Sequence, residues 1–227
     1  EPHENELRGL VDSIKYTLLA DGKRIRPILS IMVYELFKDN IAEIVEPACA
    51  IELIHSASLM LDDLPCMDNA TYRRGQKANH IVFGEATTIL ASAALWVSAF
   101  KIFSKIESVK INSIIMETAN SIGRLGLIRG QFLDISSFQK SRTIKELKAC
   151  YYLKTGVLFE NAVKIGALMG KADKREIKIL ERFGRNIGLA YQIRDDILDG
   201  SLPSKKSGKD QNIDLRNKKP TYVSILG

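Results

Sequence analysis

Asp62-Asp63-Leu64-Pro65-Cys66-Met67-Asp68 crowds carboxylates at the end of an apolar run, and Asp195-Asp196-Ile197-Leu198-Asp199 repeats the theme far along the chain. Adjacent aspartates at a helix C-terminus are locally unfavourable, because the macrodipole there is already negative and the two charges repel. Something positive must compensate. Magnesium fits well, being a hard cation that takes oxygen ligands and shares its shell with phosphates. Pro65 disrupts the helix, so Asp68 can turn back toward Asp62. An isolated pair of aspartates most simply marks a turn or cap on a solvated surface. Here the run from Ala57 to Leu61 puts the pair at the end of a buried helix, where an unpaired carboxylate is costly.

The second cluster places Asp195 and Asp199 at i and i+4, on one helical face, with Gln192 a turn earlier on the same side. Like charges at that spacing destabilise a bare helix, and a cation bound between them relieves it. A salt bridge to Arg194 or a lysine accounts for one carboxylate but not for the whole set. Two such clusters on facing helices could hold several divalent ions against one diphosphate.

Basic groups sit beside these motifs. Gly22-Lys23-Arg24-Ile25-Arg26-Pro27 precedes a helix start, where free N–H groups and positive potential suit an anion. Arg73-Arg74 follow Asp68 closely and offer two planar forks for phosphate oxygens, which as neighbours can point to two different ligands. A third group is Lys205-Lys206-Lys209. Any one pair of cations alone is most simply a solvated turn. His55 lies seven residues before Asp62, two turns along roughly the same face. A lone helical histidine is usually a core residue, but this one is aligned with the aspartates. The net charge of +6 permits an anionic small molecule or nucleic acid. The cations do not form one arginine-rich run with interleaved aromatics, which favours small phosphorylated ligands and argues against nucleic acid.

These groups need rigid supports, and the chain supplies helices. Helical periodicity dominates, while strand alternation and Asn-Gly hairpin turns are nearly absent. The pattern predicts helices at about 5–20, 27–39, 43–64, 86–106, 110–132, 143–170, 173–199 and 219–226. Pro27 suits a first helical turn, Asp39-Asn40 favour a turn, and Asp173 is a candidate N-cap after Gly170. Helices 86–106 and 110–132, rich in Ala, Ile, Leu and Ser, are expected to be buried on most sides. The segment 200–219 reads as a polar loop. With 227 residues, 45% hydrophobic and 26% charged, the chain can form one large all-α domain, spanning 1–227 without a linker or repeat. The longest apolar stretch, Ile89 to Phe100, reads as too short to span a bilayer. The acidic, polar start shows no signal peptide. Cys49, Cys66 and Cys150 lack metal-like spacing and read as free thiols of a reducing compartment, so a cytoplasmic location is expected, or a plastid if a transit peptide has been removed.

Taken together these residues resemble the trans-isoprenyl diphosphate synthase (polyprenyl synthetase) family. The matching segments are GKRIRP (22–27), IHSASLMLDDLPCMDNATYRRGQ (54–76), FGEATTILAS (83–92), GLIRGQFLD (126–134), LKTG (153–156), YQIRDDILD (191–199), GKD (208–210) and KPTYVSILG (219–227). They run in order from about residue 20 to the end. The stretch from Ala57 to Gln76 looks most like bacterial geranylgeranyl diphosphate synthases of the carotenoid type. The resemblance implies the isoprenoid synthase fold, a single-domain antiparallel helical bundle around a central cavity. It also implies a homodimer and about three magnesium ions, and the family normally continues past the position of Gly227 with further helices, which this domain of 1–227 is expected to lack.

By motif position, the resemblance implies that Asp62 and Asp68 bind magnesium from one side, with Asp63 supporting. Asp195 binds it from the other, with Asp196 and Asp199 nearby. Lys23, Arg26, His55 and Arg74 would hold the diphosphate of isopentenyl diphosphate; Arg73, Lys154 and Lys209 would hold the allylic diphosphate. Thr155 and Gln192 would line the reacting carbons, and Lys219 would close over the site. The implied reaction ionises an allylic C–O bond, joins the cation to the double bond of isopentenyl diphosphate and loses a proton. Chain length becomes steric: each helix turn below Asp62 adds ~5.4 Å of depth. Ala57, five residues before Asp62, and Ser58 are small and leave the pocket floor open, which points to geranylgeranyl diphosphate. A farnesyl diphosphate synthase or a partner subunit of a heteromeric synthase is the alternative. A terpene cyclase of the same fold would not need the isopentenyl site that GKRIRP and Arg74 supply.

Overall fold

The structure is a computed structural model that describes residues 7–107, 110–136, 143–201 and 221–226, with the side chains at 199–201, 223 and 226 outside that description. Helices α1 (Arg8–Leu18), α2 (Ile25–Glu35) and α3 (Ala42–Asp62) are followed by a two-stranded hairpin, β1 (Tyr72–Arg73) and β2 (Gln76–Lys77). Then come α4 (Asn79–Phe83), α5 (Glu85–Phe103), α6 (Ile111–Ile122), α7 (Leu127–Ser136) and α8 (Ile144–Tyr151). A π segment (Tyr152–Gly156) runs directly into α9 (Val157–Met169), and α10 (Lys174–Ser201) and α11 (Tyr222–Leu226) complete the described chain.

The core is gathered around α3. Its Ile44, Ile51 and Ile54 are fully buried with Tyr34 of α2, Phe103 of α5 and Ile165 of α9. Burying a large aliphatic or aromatic side chain contributes about 1.5–3 kcal/mol, so this cluster fixes the helices that end in the aspartates. A second cluster joins α2 and α9 through Val33, Phe159 and Val163, with Tyr191 of α10 packed against it. The expected N-cap is present: Asp173 Oδ1 accepts from the amides of Arg175 at 2.7 Å and Glu176 at 2.8 Å, and Glu176 accepts from the Asp173 amide at 2.7 Å.

Four expectations change. The run at 110–132 divides into α6 and α7, with α6 ending at Gly123, whose amide donates to Ala119 at 2.8 Å. The run at 143–170 contains the π segment, which periodicity alone does not reveal. The hairpin at 72–77 is unexpected, because its turn is Arg74-Gly75 rather than Asn-Gly. Both central residues have positive φ, 55° and 80°, as a type I′ turn demands. Finally, α5 to α7 are not buried on most sides. Leu90 is 63% exposed, Val97 69% and Phe132 68%, so these helices present an apolar face outward. By length and composition alone, α3 and α5 could each cross a membrane, since both extend beyond the apolar stretch counted in the sequence. The α3 segment is largely core, with Ile44, Ile51 and Ile54 fully buried.

Candidate active site

The π segment builds the site. It is gripped between two helices by close backbone contacts. A Cβ on Gly130 of α7 would lie 2.5 Å from the Lys154 amide nitrogen, and one on Gly188 of α10 would lie 2.5 Å from the Gly156 Cα. Only glycine permits either approach. One turn beyond each glycine, the same helices supply the partners of the segment's side chains. Lys154 Nζ donates to Asp134 at 2.8 Å, and Thr155 Oγ1 donates to Gln192 Oε1 at 2.7 Å. The extra residue of a π turn re-aims consecutive side chains, a common device at functional sites.

Lys154 also faces the first aspartate cluster, with Nζ 4.0 Å from Asp68. That cluster folds as its proline suggested: α3 stops at Asp62, and the Asp68 amide donates to the Asp62 carbonyl at 2.9 Å. Burial pushes the Asp62 carboxyl up to about 6, and the neighbouring Asp68 and Asp63 reinforce it against the pull of Lys154 and Arg73. Burial works against the Lys154 ammonium, yet Asp134, Asp62 and Asp68 outweigh it and hold it above the ordinary lysine range. Asp63 is 2% exposed and turned toward Arg73, whose Nε donates to its two oxygens at 2.9 and 3.1 Å and whose Nη2 adds a third bond. Burial raises the Asp63 carboxyl even so.

The second cluster reaches the same region through Gln192. Its Nε2 donates to Asp196 at 3.2 Å, and Asp196 also accepts from the Tyr151 hydroxyl and, at 3.2 Å, from the Tyr222 amide. Asp196 therefore ties α10 to α8 and α11. Asp195 is half-buried and close enough to act electrostatically on Arg26 and Tyr191. Asp199 lies on the last turns of α10, with its side chain outside the described residues, as are Lys205, Lys206, Lys209 and Lys219 altogether. Lys154 thus stands 4.0 Å from Asp68 of the first cluster, while its neighbour Thr155 bonds Gln192, which in turn bonds Asp196 of the second.

The basic groups converge from the other side. Arg26 is 7% exposed, stacks over Phe159 at 4.4 Å and has an Nε with no hydrogen-bond partner among the described residues. Burial pushes its guanidinium down to about 10, with Glu52 opposing the shift. Lys23 Nζ stands 5.9 Å over the Tyr191 ring, which itself packs on Phe159. Arg74 Nη2 donates to Glu52 at 2.8 Å. The two arginines of the hairpin thus do point to different partners, Arg73 to Asp63 and Arg74 to Glu52. His55 is half-buried, and Ser58 Oγ donates to its carbonyl at 2.8 Å. Ala57 is fully buried against Met60, Ala91 and Leu95, while Ser92 Oγ donates to its carbonyl at 2.9 Å. Ser58, one turn before Asp62, shares the aspartate face instead. Two surface hollows, about 450 Å³ beside Lys178 and Arg182 and about 410 Å³ beside Asp12 and Phe83, are lined by other residues.

Two residues of this site carry little signal in the sequence. Asp134 closes the GLIRGQFLD segment, but nothing there points to Lys154 as its partner. Glu52 precedes His55 by three residues on the same helix, the only feature that points to it.

The donors suit a hard cation. They are all carboxylate oxygens, and burial raises the Asp62 carboxyl even against the pull of Lys154 and Arg73. Among the described residues, no three metal-binding side chains are drawn together, and the Lys154 ammonium supplies the neutralising charge. A helical bundle that carries two acidic clusters and buried cations has the architecture of the all-α isoprenoid synthase fold. The polyprenyl synthetase family model matches residues 8–227, and the chain belongs to that family. It is 43% identical over 223 residues to the geranylgeranyl diphosphate synthase of Cyanophora paradoxa, covering 96% of this chain and 74% of that one. It is 40% identical over 222 residues to the farnesyl diphosphate synthase of Geobacillus stearothermophilus, covering 96% and 75%. The Helicobacter pylori geranyltransferase, crystallised with magnesium and isoprenyl diphosphate, superposes with a TM-score of 0.89 at 31% identity, over 96% of this chain and 74% of that one. The chain spans only 62% of the length of several chloroplast-named plant relatives.

Proposed function

We propose that the protein condenses isopentenyl diphosphate head-to-tail with an allylic diphosphate to give geranylgeranyl diphosphate. The observation that supports this reading is the pair Lys154 and Thr155, the lysine beside Asp68 and the threonine bonded to Gln192, itself the partner of Asp196. Magnesium held by Asp62 and Asp68 on one side and by Asp195 and Asp199 on the other would supply positive charge as the allylic C–O bond ionises. Lys154 adds a fixed cation at the leaving diphosphate, with Arg73 beside it and Lys209 from the segment outside the described residues. Lys23, Arg26, His55 and Arg74 bind the diphosphate of isopentenyl diphosphate, and Lys219 covers it. The Thr155 hydroxyl and the Gln192 carbonyl present partial negative charge to the developing carbocation. The departing diphosphate takes the proton, since no protein base is tuned to accept it. Water is kept from the cation by the packed helices.

The apolar outer face of α5 to α7 supports assembly as a homodimer. Cytoplasmic or plastid residence is proposed, the latter in keeping with the chloroplast-named relatives. Ser58, on the aspartate face, sets the length of the tail jointly with Ala57. A farnesyl diphosphate product is the second reading, favoured by the likeness to the Geobacillus stearothermophilus enzyme.

The test incubates purified protein with magnesium, labelled isopentenyl diphosphate and each allylic primer, and reads product length by chromatography. Geranylgeranyl diphosphate is expected. No incorporation with any primer would overturn the reading, and farnesyl diphosphate would select the second one.

A further inference from the structure

Three guanidinium groups crowd one side of the site around a single carboxylate. Glu52 is 8% exposed. It accepts from Arg74 Nη2 at 2.8 Å and lies 3.5 Å from Arg24 Nη1. Arg24 is itself a tether, because its Nη2 donates to the carbonyl of Leu18, the last residue of α1, at 2.6 Å and to that of Ala20 just beyond at 2.7 Å. A Cβ on Gly22 would stand 2.1 Å from Arg24 Nη1 and 3.3 Å from Arg74 Cζ, so both arginines press on that turn. Arg26 feels the same carboxylate electrostatically.

This arrangement is costly without Glu52. Like charges repel more strongly as water is withdrawn. Both arginines at the ends of the link also hold backbone conformations that favour glycine, with φ 48° at Arg24 and 55° at Arg74. A non-glycine residue in that region needs compensation from its surroundings. The hairpin and the α1–α2 turn lie far apart in sequence, and this carboxylate joins them.

We propose that Glu52 is a positioning residue that clips the Arg74 hairpin to the α1–α2 turn and so holds Arg74 and Arg26 ready for the diphosphate of isopentenyl diphosphate. It does this without touching the substrate. The inference rests on the assignment of Arg74 and Arg26 to that diphosphate. A role confined to stability would instead affect both substrates alike.

The experiment measures KM for each substrate separately, with thermal melts alongside, in Glu52→Gln, Glu52→Asp, Arg74→Ala and the double variant Glu52→Gln/Arg74→Ala. Glu52→Gln keeps the shape and removes the charge, so KM for isopentenyl diphosphate is expected to rise roughly tenfold while KM for the allylic substrate and kcat stay within about twofold. Glu52→Asp, one methylene shorter, should fall between. Residues that act as a unit are non-additive, so the double variant should raise KM for isopentenyl diphosphate by clearly less than the product of the two single effects. If Arg74→Ala leaves the KM for isopentenyl diphosphate unchanged, the assignment of the diphosphate fails. If Arg74→Ala raises it but Glu52→Gln does not, or if the two effects multiply independently, the positioning role is wrong. Should Glu52→Gln not fold, Glu52→Asp decides: a rise for isopentenyl diphosphate alone supports the role, and an equal rise for both substrates, or none, overturns it.

Discussion

Lys154 and Thr155, adjacent in sequence, bind opposite walls of the site: the lysine reaches Asp134 of α7 at 2.8 Å and the threonine reaches Gln192 of α10 at 2.7 Å. An ordinary helix turns neighbours by about 100°; here the lysine stands beside Asp68 and the threonine bonds Gln192, the partner of Asp196. The lysine, like Arg73, is a cation already in place before any substrate arrives. Lys154→Ala should lower kcat by about a hundredfold or more, because it removes a preorganised charge from the leaving group. KM for isopentenyl diphosphate should change little. Lys154→Arg should recover only part of the rate, since a planar fork does not replace a point charge. Steady-state kinetics with each substrate varied would check this, and a fully active Lys154→Ala would remove the lysine from the chemistry.

Asp62 gives a pH prediction. Its folded carboxyl sits at about 6, raised by burial above the ordinary value of 3.8. The folded state thus binds more protons than the unfolded chain between those values. In metal-free protein this group's contribution to stability is fully present below the lower value and is lost as the pH rises through the upper one. Magnesium competes with that proton for the same oxygens. The rise in Tm on adding magnesium should therefore be smaller at about pH 5 than at about pH 7.5, and Asp62→Asn should flatten the difference. A magnesium effect independent of pH would sink the assignment of Asp62 as a ligand.

The floor of the tail channel can be separated into two positions. Ser58 is a turn before Asp62 on the same face, whereas Ala57 is packed at the contact with α5. Ser58→Phe should shorten the product to farnesyl diphosphate with the fold intact. Ala57→Tyr must displace Met60, Ala91 and Leu95, and overpacking a core typically costs about 1–3 kcal/mol. It should shorten products too, but with a visibly lower Tm. Unchanged products in both variants would place the floor elsewhere.

Much of this is legible in the sequence, for physical reasons that differ between elements. The α3 helix and its end are readable because an apolar run stops at paired aspartates and a proline. The cap at Asp173 is readable because its chemistry is local. The π segment is not, since Tyr152 to Gly156 continue the same apolar period and only tertiary grip on Gly130 and Gly188 inserts the extra residue. The hairpin escapes because Arg74 takes a positive φ that its residue type disfavours, held by Glu52 from a distant helix. In the sequence Asp196 is one member of an acidic set. Only the fold shows its carboxylate turned to Tyr151, Gln192 and the Tyr222 amide.

If the glycine grip shapes the site, then adding one methyl group should damage both stability and rate. At Gly188 the new Cβ meets the Gly156 Cα at 2.5 Å, and at Gly130 it meets the Lys154 amide nitrogen at 2.5 Å. Backbone atoms cannot swing aside as a side chain can, so the helices must separate. Gly188→Ala should then lengthen the Thr155–Gln192 bond, and Gly130→Ala should disturb the Lys154–Asp134 pair. Each is expected to lower Tm by an amount corresponding to about 1–3 kcal/mol and to lower kcat. Gly9→Ala is the control, since it lies in α1 with nothing within 4 Å of the added atom. Alanine is the better helix former there by about 0.5–1 kcal/mol, so this variant should melt at or above the parent temperature with unchanged activity. Thermal melts and kcat for all three variants decide the matter: should Gly188→Ala behave like Gly9→Ala, the π segment would owe its shape to something other than its close contact with α10.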